Sequence, residues 1–145
     1  LEGKLKERGL NALVLIGREE KWDAVAACDV AIAVSGTVAL EIAAVGVPHV
    51  ITYRVNSLTW HIAQRLVKTP HVHLANILLN ERVVPEFIQQ DATAGNIYAS
   101  VKNLLNESNA RYRQTESFGK IRALLQNPEK INPADKAAGF ILNSL

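Results

Sequence analysis

The 145-residue sequence contains a single cysteine, Cys28, so no disulfide can close within it. Methionine is absent altogether, and the opening Leu-Glu-Gly-Lys has neither the basic start nor the apolar run of a signal peptide. No apolar stretch approaches the ~20 residues that a bilayer-spanning helix needs. The formal net charge is only +2, too weak a balance to argue for a nucleic-acid surface, and a solvated surface of mixed sign accounts for it. Neither a Walker loop nor a Gly-x-Gly-x-x-Gly fingerprint occurs. His49, His61, His71 and His73 lack the spacing to acids or cysteine that marks a metal site, so no metal and no cofactor are expected. Cys28, in an apolar stretch, reads as a small buried residue rather than a nucleophile.

What remains is patterned. Hydrophobic residues are 48% and charged residues 21%, which fits a folded chain rather than a disordered one. Residues 1–8 read as the tail of an amphipathic helix ended by Gly9. The nearly continuous apolar run 11–17 predicts a strand buried on both faces, and 29–34 predicts a second. Residues 19–28 read as helical between them, with Trp22, Val25 and Ala26 at helical spacing. Residues 37–45 predict a helix stopped by Gly46 and Pro48. A strand is expected at 49–54, a helix at 56–68 capped by Asn56 or Ser57, and a short strand at 71–75. Beyond Asn76 the pattern is helical: a loop and short helix broken near Pro85, then a helix opened by Asp91 or Thr93. A charged helix follows at 111–126, interrupted at Gly119, and a last one starts at Asn132-Pro133.

Strands alternating with helices argue for an α/β fold with a parallel sheet covered by helices on both faces. Four strands are fewer than the about five or six of a complete doubly wound sheet, so the chain reads as part of something longer. The predicted division is 1–106, a partial nucleotide-binding domain, and 107–145, C-terminal helices. An unpaired edge strand and the Ile141–Leu145 helix face would then invite association, including a homodimer.

The informative stretch is Ser-Gly-Thr-Val-Ala-Leu-Glu, residues 35–41, at the carboxyl end of a predicted strand. Ligands of open parallel sheets collect at such ends. The first N–H groups of a helix have no internal partner, and the helix dipole stands behind them. Gly36 lets a phosphate approach the backbone, and the Ser35 and Thr37 hydroxyls add donors. Glu41 lies on the same helix side as Thr37, ~6 Å further along the axis, where its carboxylate can grip a ribose diol. The same residues also fit a plain helix cap and a solvated glutamate.

The order Ser-Gly-Thr, Leu-Glu, Gly-Val-Pro, Tyr-Arg, Arg-Leu-Val-Lys, Asn-Ile-Leu-Leu, Val-Pro-Glu and Asp-Ala-Thr resembles the lipid-A-disaccharide synthase family, most densely over 29–105. The resemblance implies a Rossmann-like donor domain of a two-domain, GT-B type glycosyltransferase. That enzyme moves diacylglucosamine from UDP to diacylglucosamine 1-phosphate, with inversion, at the cytoplasmic face of the bacterial inner membrane. It implies that Ser35, Gly36 and Thr37 hold the diphosphate, Glu41 the ribose, and that Arg54 and Asn76 contact the donor. Ile16 and Gly17 are placed near the uracil by the sheet geometry such enzymes share. The general base and the acceptor site are expected in an N-terminal half, so this chain alone is expected to be inactive. Ala75, Asn80 and Glu81 depart from the family pattern around the Asn76 loop. Alternatives are another UDP-GlcNAc enzyme of this architecture, such as the lipid II N-acetylglucosaminyltransferase or a 2-epimerase, or a non-catalytic nucleotide-binding module.

Overall fold

A computed structural model describes residues 2–16, 20–56, 70–126 and 132–143. Their elements run α1 (Glu2–Glu7), α2 (Lys21–Ala26), β1 (Ala31–Ala33), α3 (Thr37–Val45), β2 (His49–Tyr53) and α4 (Leu74–Leu79). Then come β3 (Glu86–Ile88), a 3-10 turn (Gln89–Asp91), α5 (Ala94–Asn106), α6 (Ser108–Leu125) and α7 (Pro133–Leu142). The three described strands form one parallel sheet in the order β1-β2-β3. The α/β class with a parallel sheet and surrounding helices is the one the sequence pattern predicts.

The central strand is β-branched and apolar, with Val50 and Ile51 fully buried. Its register pairs Ile32 with Val50 on one side and Ile51 with Glu86 on the other. Helix α3 turns Ala39, Ile42 and Ala43 inward, the spacing of a single helical stripe. It ends as the sequence predicts. Gly46 takes φ 99°, its N–H reaches the Ala43 carbonyl at 3.0 Å, and the Val47 N–H reaches that of Ile42 at 3.2 Å. This is a Schellman closure, which favours glycine because the left-handed backbone strains other residues. The core joins Ala33, Ala39, Ile42, Ala43, Val47, Ile51, Ala75 and Val84 to Phe118 and Ile121 of α6.

Several expectations are corrected. Residues 11–16 form no strand, and Leu13 and Ile16 stand 84% and 93% exposed. An apolar run becomes a strand only beside a ladder partner, and no described strand lies alongside this one. Residues 71–75 are not a strand either, because His73 caps α4 by accepting the Ala75 N–H on Nδ1 at 3.0 Å. The third strand of the sheet is instead β3, in the segment expected to be loop and short helix. Pro85, with no N–H to give, sits just before it, and its carbonyl accepts the Ile51 N–H at 2.9 Å. Gly119 does not interrupt α6. Cys28 is exposed, its thiol directed at the Ala24 carbonyl one turn back. Thr93 does cap α5, through the Asn96 N–H, and Asn132 caps α7. The helix expected at 56–68 falls almost wholly outside the described residues.

Candidate functional site

Parallel strands bring their carboxyl ends to one rim, which gathers the loops after β1, β2 and β3. Strand β1 feeds Ser35, Gly36 and Thr37 directly into α3. Gly36 has φ 143° and ψ −167°, a conformation that side chains rarely adopt. A Cβ there would touch nothing within 4 Å, so the glycine is required by backbone conformation and the space above it is open. As N-cap it offers no side chain to the first turn of α3.

Ser35 sits just below this tip. Its hydroxyl donates to the Val72 carbonyl at 2.9 Å. A serine hydroxyl has one proton. In this arrangement Ser35 presents only lone pairs to an anion and acts by fixing the loop. The donors left for an anion are the α3 backbone and the exposed Thr37 hydroxyl.

Glu41 is half-exposed and carries an ion pair: its Oε2 lies 3.2 Å from Lys21 Nζ of α2. That ammonium also stands 4.2 Å from the centre of the Trp22 ring. With side chains 36% and 43% exposed, such a pair is weak and exchangeable. Glu41 is thus neither buried nor solitary, and Lys21 is a neighbour that sequence spacing did not reveal.

At the ends of β2 and β3, Arg54 donates from Nε to the Gln89 carbonyl at 3.0 Å. The Gln89 amide pairs with the Val55 N–H at 2.8 Å and its carbonyl at 3.1 Å. Arg54 and Val55 line an open recess of about 320 Å³ with Gln89 and Gln90. Ile16 is exposed on an irregular segment, and Gly17 lies outside the described residues.

Asn76 is placed differently from the rim residues. It is fully buried in α4, and its Oδ1 accepts from the Val83 and Val84 N–H groups at 3.0 and 2.9 Å. Its Nδ2 donates to the Val84 carbonyl at 2.8 Å and to Glu86 Oε1 at 3.0 Å. All four ordinary hydrogen-bonding positions of the amide are filled by protein.

Behind the rim lies a buried polar group that sequence reasoning missed. Glu86 Oε1 gathers the N–H groups of Val72 at 3.0 Å and His73 at 2.6 Å, besides the Asn76 amide. His73 and His49 meet Nε2 to Nε2 at 2.7 Å. His73 Nδ1 accepts from Ala75, so the neutral ring carries its proton on Nε2 and donates to His49. His49 then donates from Nδ1 to the Val47 carbonyl at 2.8 Å. Its ring stacks on Phe118, centroids 5.2 Å apart. The Gln114 amide of α6 brackets the His49 backbone, accepting its N–H at 2.9 Å and donating to its carbonyl at 3.2 Å. Burial lowers both imidazoles from the ordinary 6.5 to about 4; His49 adds to this at His73, while the Val47 bond pulls the other way at His49. The sequence clue was the shared face of His71 and His73, but nothing local pointed to His49, Glu86 or Gln114.

The chain matches the family model for lipid-A-disaccharide synthetase over residues 1–139. It is 45% identical over 135 residues to a lipid-A-disaccharide synthase of Geobacter sulfurreducens, an alignment covering 91% of this chain and 34% of that protein. A synthase of the same name from Rhodospirillum centenum is 39% identical over 132 residues, covering 91% of this chain and 33% of the relative. One from Nitrobacter hamburgensis is 35% identical over 136 residues, covering 94% and 34%. The chain therefore spans about a third of the length of these relatives. By the breadth of the family match and the order of motifs around α3, the chain belongs to the lipid-A-disaccharide synthase family.

Proposed function

We propose that this chain is the donor-binding portion of a lipid-A-disaccharide synthase and takes the uridine diphosphate part of a UDP-linked diacylglucosamine. The observation that carries the reading is the start of α3: glycine-favouring backbone at Gly36, with half-exposed Glu41 one turn inward. The diphosphate lies on the N–H groups of the first α3 turn and the Thr37 hydroxyl, with the helix dipole behind it. Glu41 accepts the two ribose hydroxyls and releases Lys21, whose ammonium then offsets diphosphate charge. Arg54 adds positive charge at the neighbouring strand end. Ser35 and Asn76 support the site from beneath, Ser35 through Val72 and Asn76 through the 83–84 backbone.

In the full reaction a hydroxyl of diacylglucosamine 1-phosphate attacks the anomeric carbon of the donor. The bond to UDP breaks, the electron pair leaves with the diphosphate, and a general base takes the hydroxyl proton. The residues assigned here stabilise the departing charge and position the donor. They include no base and no acceptor site, so the isolated chain, with donor-binding residues 1–106 braced by helices 107–145, transfers no sugar. The longer protein works peripherally on the cytoplasmic face of the bacterial inner membrane. Self-association of this chain as a homodimer belongs to the same reading.

Calorimetric titration of UDP into the chain and into Glu41→Ala tests the assignment. Losing two hydrogen bonds to a charged acceptor weakens binding by about 1–3 kcal/mol, roughly 5- to 150-fold. Equal affinity of the two proteins removes Glu41 from the site. Turnover of both sugar substrates by the isolated chain overturns the assignment of the base to another part of the protein.

A further inference from the structure

We infer that Glu86 is a positioning residue for the diphosphate loop, acting through the Val72 peptide and Ser35. The inference rests on the donor-binding reading above.

Glu86 opens β3 and is 8% exposed, so its carboxyl group belongs to the interior rather than the rim. A buried carboxyl group requires donors. Here one oxygen takes three: the consecutive Val72 and His73 N–H groups and the Asn76 amide. Two adjacent peptides held by one acceptor are fixed in orientation, and with them the Val72 carbonyl. That carbonyl receives the Ser35 proton. The path from Glu86 to Ser35 is therefore two hydrogen bonds across a single residue. Ser35 is the last residue before Gly36, whose backbone departs from ordinary geometry. A glycine with open space around it does not hold such a conformation by its own packing. The constraint comes from its neighbours, and among the described residues the side-chain tie at this loop's entry runs from Ser35 to Val72. The sheet register holds Glu86 opposite Ile51, fully buried in the central strand, so the anchor is tied into the core of the sheet.

This arrangement explains why a serine stands at the loop although its proton faces away from an anion. Ser35 and Glu86 jointly set the direction of the α3 N–H groups, and an anion at the tip meets donors already aimed at it. Preorganisation of this kind acts on ligands that reach the tip and leaves the remaining contacts unchanged.

The test is a chemical-shift titration of UDP and of uridine into the chain and its variants. Glu86→Ala weakens UDP about 3- to 10-fold, the scale of one or two lost hydrogen bonds, and leaves uridine affinity unchanged. Glu86→Gln, which keeps an acceptor in place, restores most of the UDP affinity. Ser35→Ala gives the same selective loss, and the double variant binds no worse than the weaker single, since both changes cut one path. Ser35→Ala removes only an oxygen atom, so it serves where Glu86→Ala does not fold, and unchanged UDP affinity in it overturns the inference. So does additive behaviour of the two changes, or an equal loss of UDP and uridine. A wild-type chain that binds UDP no better than uridine overturns the diphosphate reading itself.

Discussion

A hydroxyl gives away one proton, and at Ser35 that proton goes to Val72. Composition and spacing placed Ser35 at an anion site; only the partner's identity distinguishes a ligand donor from a brace. The same holds for Asn76, whose amide is filled by Val83, Val84 and Glu86. The special backbone of Gly36 was legible because conformational freedom is a local property, whereas the Lys21 partner of Glu41 was not. The histidine pair was not, since 24 residues separate His49 from His73. Its tautomers are interlocked: a second proton on His73 must displace the Ala75 cap, and one on His49 must face the His73 N–H. Both imidazoles therefore stay neutral down to about pH 4, while in the unfolded chain they charge below the ordinary 6.5. Folding stability is then intact above about pH 6.5 and declines as the pH falls towards 4. Urea unfolding at pH 7 and pH 5 should show a lower midpoint at pH 5, with a smaller drop in His49→Phe. A midpoint that stays level over this range contradicts the neutral pair.

Among the elements, α3 was legible from end to end because its start and stop are written in glycine chemistry. Strand β3 was hidden by Pro85, whose usual meaning is a break, yet an edge strand tolerates a proline at its threshold. Residues 71–75 looked like a strand by alternation; the carboxyl group of a residue still to come in the chain, Glu86, bends them into a helix start. Helix α6 is charged along most of its length and was expected to falter at Gly119. It continues because Gln114, Phe118 and Ile121 dock one face against the core. Tertiary packing outweighs the ~1 kcal/mol helix cost of one glycine. Phe118 is fully buried and supports His49 by stacking, so Phe118→Ala should destabilise the fold by about 3–5 kcal/mol. The loss should exceed that of Leu124→Ala on the exposed face of the same helix, as read by denaturant midpoints. Equal losses would mean that α6 is not part of the folding unit.

For the whole molecule the governing fact is the outer strand β1, whose apolar side is exposed among the described residues. Purely parallel sheets are found with both faces buried, because their strands are apolar on both sides. In β1 and just past it the inward side is Ala31 and Ala33, but Ile32 and Val34 point the other way and stand 57% and 55% exposed. Strand β1 is also the outer strand of the described sheet, with hydrogen-bonding groups along its far side. Leu13 and Ile16 add further apolar exposure. Water contact over such a surface is unfavourable at roughly 25 cal/mol per Å² of apolar area. Two copies that pair their β1 edges or cover each other's Ile32 faces relieve it. Sedimentation of the chain should therefore give a weight-average mass that rises above 15.9 kDa with concentration. A charge placed within the patch opposes that burial, so the double variant Ile32→Lys, Val34→Lys should stay at the monomer mass. Its UDP affinity should match that of the parent, because neither side chain belongs to the assigned donor contacts. A parent chain that remains monomeric at every concentration, or a lysine variant that associates as strongly, would show that this face does not drive association.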